Sequence, residues 1–124
     1  MTTTKITVTA FDHLVLNVAD VERSLAFYCG KLGLAPVRVD EWRAGRVPFP
    51  SVRITADTII DLVAAPRHAS NVDHLCLVVE PFDGLAGQFT VLEGPVQRFG
   101  ARGTATSIYV SDPDGNTVEL RWYP

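Results

Sequence analysis

An α+β fold built from two tandem βαβββ modules is predicted by three features of the chain. The segment FDHLVLNV at residues 11–18 recurs as VDHLCLVV at 72–79, with Asp-His-Leu at the same place in each. Each copy is followed by a helix-like pattern and then by short strand-like pieces. The last piece of each half carries a carboxylate at a matching position, Asp61 in TIIDLV and Glu119 in NTVELR. With 124 residues and 47% hydrophobic content, the chain fits one domain (1–124) with a sizeable core.

The elements follow in order. Alternating apolar residues make FDHLVLNV a strand. In residues 19–34, Val21, Leu25, Tyr28 and Leu32 fall on one face of a helix, with Asp20 as N-cap and Gly33 as stop. PVRVDEWRA, the stretch around SVRITA, and TIIDLVAAP read as strands and close a first module at about 8–66. The polar, proline-bearing PRHASNVD is a linker. The second module, about 70–123, opens with VDHLCLVV and continues with a shorter helix near residues 82–92. EGPVQRF, TATSIYV and TVELRWY are its further strands. The turn SDPDGN is a hairpin signal, and its proline and missing twelfth-position glutamate argue against a calcium loop.

The offsets of the paired residues agree. His13 and His74 lie 61 residues apart, and Asp61 and Glu119 lie 58 apart. Residues two apart in a strand share a face, which groups His13 with Phe11, Val15 and Asn17, Asp61 with Ile59 and Val63, and Glu119 with Thr117 and Arg121. An ionisable group on an inward face is costly unless paired or metal-bound. Two imidazoles and two carboxylates suit a divalent ion such as Zn, Ni, Mn or Fe, and do not suit a thiolate-rich structural zinc cage. The plain alternative is that both histidines are ordinary strand residues repeated by duplication.

A net charge of −3 and the absence of a basic run make nucleic acid and anionic membranes poor partners. The segment MTTTKITVTAF lacks the apolar core of a signal peptide, and no apolar run approaches the roughly 18 residues of a membrane span. Cys29 and Cys76 form no CxxC pair and fit reduced, buried thiols in a cytoplasmic protein.

FDHLVLNVADVERSLAFYCGKLGL, TIIDL, VDHLCLVV and SDPDGNTVEL together resemble the vicinal oxygen chelate superfamily of glyoxalases, bleomycin-resistance proteins and extradiol dioxygenases. The resemblance implies that the two modules form an open barrel-like cup, with His13, His74 and Glu119 as its metal triad. Asp61 takes a fourth position where glyoxalase I has glutamate, and its shorter side chain puts direct ligation in question. The implied chemistry is chelation of a small substrate through neighbouring oxygens, with an oxyanion or enediolate stabilised by the ion. A loosely held Glu119 or Asp61 would serve as general base. A glyoxalase-like lyase or isomerase is favoured over a dioxygenase, and glutathione use is not indicated. The alternative is a metal-free drug-binding protein of the bleomycin-resistance type. Small members are commonly homodimers. Arg98, on the loop before the seventh strand, is a candidate for holding an anionic substrate group. Trp42, Phe49 and Tyr109 are candidates for an aromatic pocket. Cys76 reads as a small buried apolar residue and His68 as an exposed linker residue.

Overall fold

The computed structural model describes residues 6–66, 71–111 and 115–124. Its elements run β1 (Thr7–Val18), α1 (Val21–Leu25), a π-helical stretch (Ala26–Lys31), β2 (Ala35–Val37), α2 (Val39–Arg43), β3 (Ser51–Thr55) and β4 (Thr58–Ala64). The second half runs β5 (Val72–Glu80), a 3-10 turn (Leu85–Gln88), β6 (Thr90–Arg98), β7 (Ala105–Ser111) and β8 (Thr117–Trp122). All eight strands form one sheet in the order β2-β3-β4-β1-β5-β8-β7-β6. The sheet is not closed on itself. It is an open α+β cup, as the resemblance implied.

The two halves mirror each other across the centre. β1 runs parallel to β4, and β5 runs parallel to β8. The two repeated strands pair antiparallel, with Val15 opposite His74 and His13 opposite Cys76. The register of that pair shifts between Phe11 and His13. A bulge of this kind interrupts the alternation of side chains. Asp12 and His13 are consequently both buried, while Phe11 is 42% exposed and leaves the face expected for it.

The same pair also shifts between Val8 and Ala10 and between Val15 and Leu16, whereas the pairing of β5 with β8 is regular. On β8, Glu119 and Arg121 are buried on one face, while Leu120 joins the core on the other. The first core packs Val18, Val21, Leu25, Val39, Val52 and Leu62. The second packs Val79, Leu85, Ile108, Val110 and Leu120. The buried polar residues Asp12, His13, Ser51, Asp61, Ser107, Glu119 and Arg121 form a separate set.

The helices differ most from the sequence reading. Asp20 does cap α1, accepting a hydrogen bond from the Arg23 N–H at 3.1 Å. The helix then widens, with Leu32 N–H bonding Phe27 C=O, and ends before Gly33 at φ +74°. Val21 and Leu25 are buried, but Leu32 is 57% exposed, because the wider turns carry it off the predicted face. The expected helix at 82–92 is a single 3-10 turn with Leu85 as its one buried anchor, and β6 begins at Thr90. The segment PVRVDEWRA is a strand only to Val37. Arg38 adopts φ 58°, and α2 follows.

The hairpin turn predicted around Asp112–Asp114 and the exposure predicted for His68 lie outside the described residues. The flanking strands β7 and β8 do pair antiparallel, with Ser111 opposite Thr117. Among the described residues, no helix is long and apolar enough to cross a membrane.

Candidate metal centre

Strands β1, β5 and β8 lie side by side at the middle of the sheet, so side chains separated by up to 106 positions can meet there. His13 Nε2 lies 3.1 Å from Glu119 Oε1, and His74 Nε2 lies 2.9 Å from the same oxygen. One ligand-type atom from each of the three falls within 4.8 Å of the others. Asp61 is close by, with Oδ2 at 3.6 Å from His13 Nε2, but it is not part of that tight group.

Each member of the triad is held from behind. His13 Nδ1 lies 2.7 Å from Asp12 Oδ2, and His74 Nδ1 lies 2.7 Å from Asp73 Oδ2. The second oxygen of Glu119 accepts hydrogen bonds from Ser107 Oγ at 2.7 Å and Arg121 Nη1 at 3.1 Å. Thus Nε2, Nε2 and Oε1 are the atoms turned toward one point. Two imidazole nitrogens and one carboxylate oxygen are a fitting donor set for a borderline divalent ion. A second group, Asp12, His13 and Cys76, also clusters. Asp12 is already bonded to His13, Tyr123 and Ala101, and burial pushes the Cys76 thiol far up, so that group lacks free donors.

The electrostatics follow from burial and pairing. Burial alone would lower the His13 pKa, but hydrogen bonds to Asp12 and Glu119 outweigh it and raise the imidazole to about 9. His74 is also raised, with bonds to Glu119 and Asp73 again overcoming burial. Glu119 is held well below the usual carboxylate range, its bonds from both histidines overriding the cost of burial. Asp61 moves the other way: burial raises it, although His13, Ser51 and Arg38 resist. The two carboxylates matched by sequence are therefore not equivalent. Asp61 Oδ1 is taken by the Ser51 hydroxyl at 2.5 Å, with Arg38 Nη2 at 3.6 Å, which leaves Oδ2 toward His13.

The triad opens into a cavity of about 430 Å³, with His13, Asp61, His74 and Glu119 at its base. Its walls include Val15, Phe49, Phe99 and Tyr109, with Arg98 among the polar residues. Arg98 is the last residue of β6 rather than part of the following loop, and it pairs with Glu93 at 2.5 Å. Its guanidinium also sits 5.7 Å from the centre of the Tyr109 ring. Trp42 requires a correction. It lies on α2 and packs against the first core, because the chain turns helical after Arg38. It does not line the cavity.

Several residues of the site were not anticipated. The loop after β6 folds over the end of β8, where Arg121, fully buried, donates to the carbonyls of Arg98, Phe99 and Gly103 at 3.1, 3.3 and 3.0 Å. Tyr123 donates to Asp12 Oδ1 at 2.6 Å, and Ala101 N–H donates to Asp12 Oδ2 at 2.9 Å. Gly100 lies so close that a Cβ there would meet Arg121 Cζ and Tyr123 Oη at 2.5 Å each. On the other rim, the Arg38 guanidinium sits 5.7 Å from the Phe49 ring centre and 4.8 Å from that of Phe99. The sequence signal for Asp12 was the Asp of the repeated Asp-His-Leu. For Arg121 it was the face shared with Glu119.

Comparison with known proteins places the chain in a family. The chain is 30% identical to virulence protein STM3117 of Salmonella typhimurium, over 90% of this chain and 83% of that protein. It is 28% identical to the lactoylglutathione lyase of the same species, over 87% of this chain and 88% of that one. In fold it resembles Streptomyces coelicolor methylmalonyl-CoA epimerase, with TM-score 0.64 and 20% identity over 94% and 95% of the two chains. A family model for the Glyoxalase/Bleomycin resistance protein/Dioxygenase superfamily matches residues 10–120, and the chain belongs to that superfamily.

Proposed function

We propose that the protein is a divalent-metal-dependent enzyme that binds a small substrate through neighbouring oxygens and moves a proton on it, as a glyoxalase-like lyase or isomerase. The carrying observation is the convergence of His13 Nε2, His74 Nε2 and Glu119 Oε1, each braced on its far side. These three residues would hold the ion. When bound, the ion supplies Lewis acidity that stabilises negative charge developing on a substrate oxygen.

The chain's own residues divide the remaining work. Glu119, held strongly acidic, is a poor base and serves as a fixed anionic ligand. Asp61 sits outside the tight group with a raised pKa, and its Oδ2 borders the cavity, so it is the residue to take a proton from substrate carbon. Ser51 and Arg38 hold its other oxygen and fix its direction. Phe49, Phe99 and Tyr109 shield the reacting carbon from water and favour a substrate with a flat or apolar part. The similarity to a lactoylglutathione lyase supports proton transfer over oxygen chemistry.

A second reading, a metal-free small-molecule binding protein, draws support from Glu119 Oε1 itself. That oxygen is bonded to both histidines, so the cluster closes without an ion.

Calorimetric titration of the metal-free protein with Zn, Ni, Mn and Fe ions separates the two. The enzyme reading expects about one ion per chain, and none in a His13→Ala, His74→Ala double variant. Asp61→Asn is then expected to keep the ion but lose deuterium exchange at the carbon next to a carbonyl in hydroxyketone or hemithioacetal probes. Failure of the wild-type protein to bind any of the four ions would leave the binding-protein reading in place.

A further inference from the structure

The repeated dipeptide Asp-His places a carboxylate against the far nitrogen of each imidazole at the same 2.7 Å. The two bracing carboxylates sit in very different surroundings, Asp12 buried and Asp73 exposed. We propose that Asp12 and Asp73 are positioning residues that hold the two rings with Nδ1–H donating backward and Nε2 free for the ion, and that Asp12 carries most of this role. The proposal rests on the metal reading of the triad.

The asymmetry between the two comes from their surroundings. Asp73 is 53% exposed at the start of β5, and His74 is its one polar partner among the contacts described. Asp12 is wholly buried. It accepts from Ala101 N–H and His13 on Oδ2 and from Tyr123 on Oδ1, with Arg121 Nε at 3.8 Å. A carboxylate fixed by two further donors cannot rotate away from the imidazole, whereas one at the surface competes with water. Ala101 and Tyr123 also tie the loop that carries Phe99 to the same carboxylate. The cavity wall and the first histidine are thereby set by one group.

The test is Zn²⁺ affinity, measured by competition with a chromophoric chelator, together with long-range ¹H–¹⁵N NMR of the Zn²⁺-loaded protein. Wild type is expected to show Nδ1–H on both rings. Asp12→Ala is expected to weaken Zn²⁺ binding by roughly 10–100-fold, in the range seen when a carboxylate behind a ligating histidine is removed. Asp73→Ala is expected to lose less. Asp12→Asn provides the control for charge. Ala101 N–H pins the amide oxygen toward His13, so Nδ1–H is kept and part of the affinity returns.

If the role were only the through-space charge, Asp12→Asn would bind as weakly as Asp12→Ala, and the proposal would be overturned. Wild-type affinity in Asp12→Ala, or Nε2–H on His13 in the wild type, would overturn it equally. Should Asp12→Ala fail to fold, the NMR of Asp12→Asn decides, with loss of Nδ1–H counting against the proposal. If the wild type binds no Zn²⁺, the metal reading falls. Ring orientation is then judged on the metal-free protein at alkaline pH, where Nδ1–H on Nε2-facing rings is still expected.

Discussion

Gly100 offers a stringent test of the buried network beneath the site. Replacing it with alanine adds one methyl group at 2.5 Å from Arg121 Cζ, 2.5 Å from Tyr123 Oη and 2.6 Å from Arg121 Nη2. These atoms are the ends of long side chains, which usually swing aside at little cost. Here they are held. Arg121 is fully buried and bonded to three backbone carbonyls, Ser107 and Glu119, and the Tyr123 hydroxyl is bonded to Asp12. Forcing an extra methyl into a filled space costs about 1–3 kcal/mol. Breaking the charged Tyr123–Asp12 bond adds about 1.5–3 kcal/mol. The gain from a less flexible unfolded chain is at most about 1 kcal/mol. The balance predicts that Gly100→Ala destabilises by about 2–5 kcal/mol, a large share of the roughly 5–15 kcal/mol typical of a domain. Urea titration followed by circular dichroism measures it, with the midpoint falling and the slope unchanged. A change under about 0.5 kcal/mol, the size of an ordinary surface effect, would show that Arg121 and Tyr123 have room to move and that the network is not rigid.

Other outcomes follow from the same contacts. In the metal-free protein, His13 is raised from 6.5 to about 9, so its contribution is complete below pH 6.5 and is lost as pH rises through about 9. Thermal melts in the presence of a chelator should therefore show stability falling by about 3 kcal/mol between neutral and strongly alkaline pH, and a flat profile would contradict the pairing. Glu119 has the opposite sign: its lowered pKa makes stability fall as pH drops below the unfolded value of 4.5, which melts on the acid side will show. Ser107→Ala frees Glu119 Oε2 from one of its two donors and should weaken Zn²⁺ binding while the fold survives, as read by chelator competition. Trp42→Ala should cost about 3 kcal/mol by urea titration and leave Zn²⁺ affinity untouched, since the residue packs on the first core.

The sheet was legible in the sequence because strand alternation and the repeat of Asp-His-Leu are local signals that the tertiary structure preserves. Glu119 and Asp61 were legible for the same reason, each fixed by its register on a final strand. Their difference in role was not, because it depends on Arg38, Ser51, Ser107 and Arg121, which reach them from elsewhere in the chain. The helices were read too long. Periodicity cannot show that a turn widens after Leu25, or that only Leu85 anchors the second segment. Trp42 misled because PVRVDEWRA begins as a strand, and the reversal at Arg38 has φ 58° without a glycine to announce it. Asp12 was visible in the repeated dipeptide, but its burial beside His13 was not, since strict alternation would have turned the two to opposite faces.

The pairing of β1 with β5 at the centre of the sheet also governs how the molecule comes into being. β1 is made before β5, and β8 after both. The triad draws one residue from each of β1, β5 and β8, so the three do not meet until β8 has emerged and both halves have docked. Long-range strand pairing of this kind slows folding. During that interval the half already synthesised presents the edge of β1 as an unpaired template, open to another chain's copy of β5. A stray ion met at that stage finds one histidine and no cage. On the proposed metal reading, loading is a late event that reports on completed assembly, and the time course of Zn²⁺ uptake during refolding would serve as a clock for the closing of the central seam.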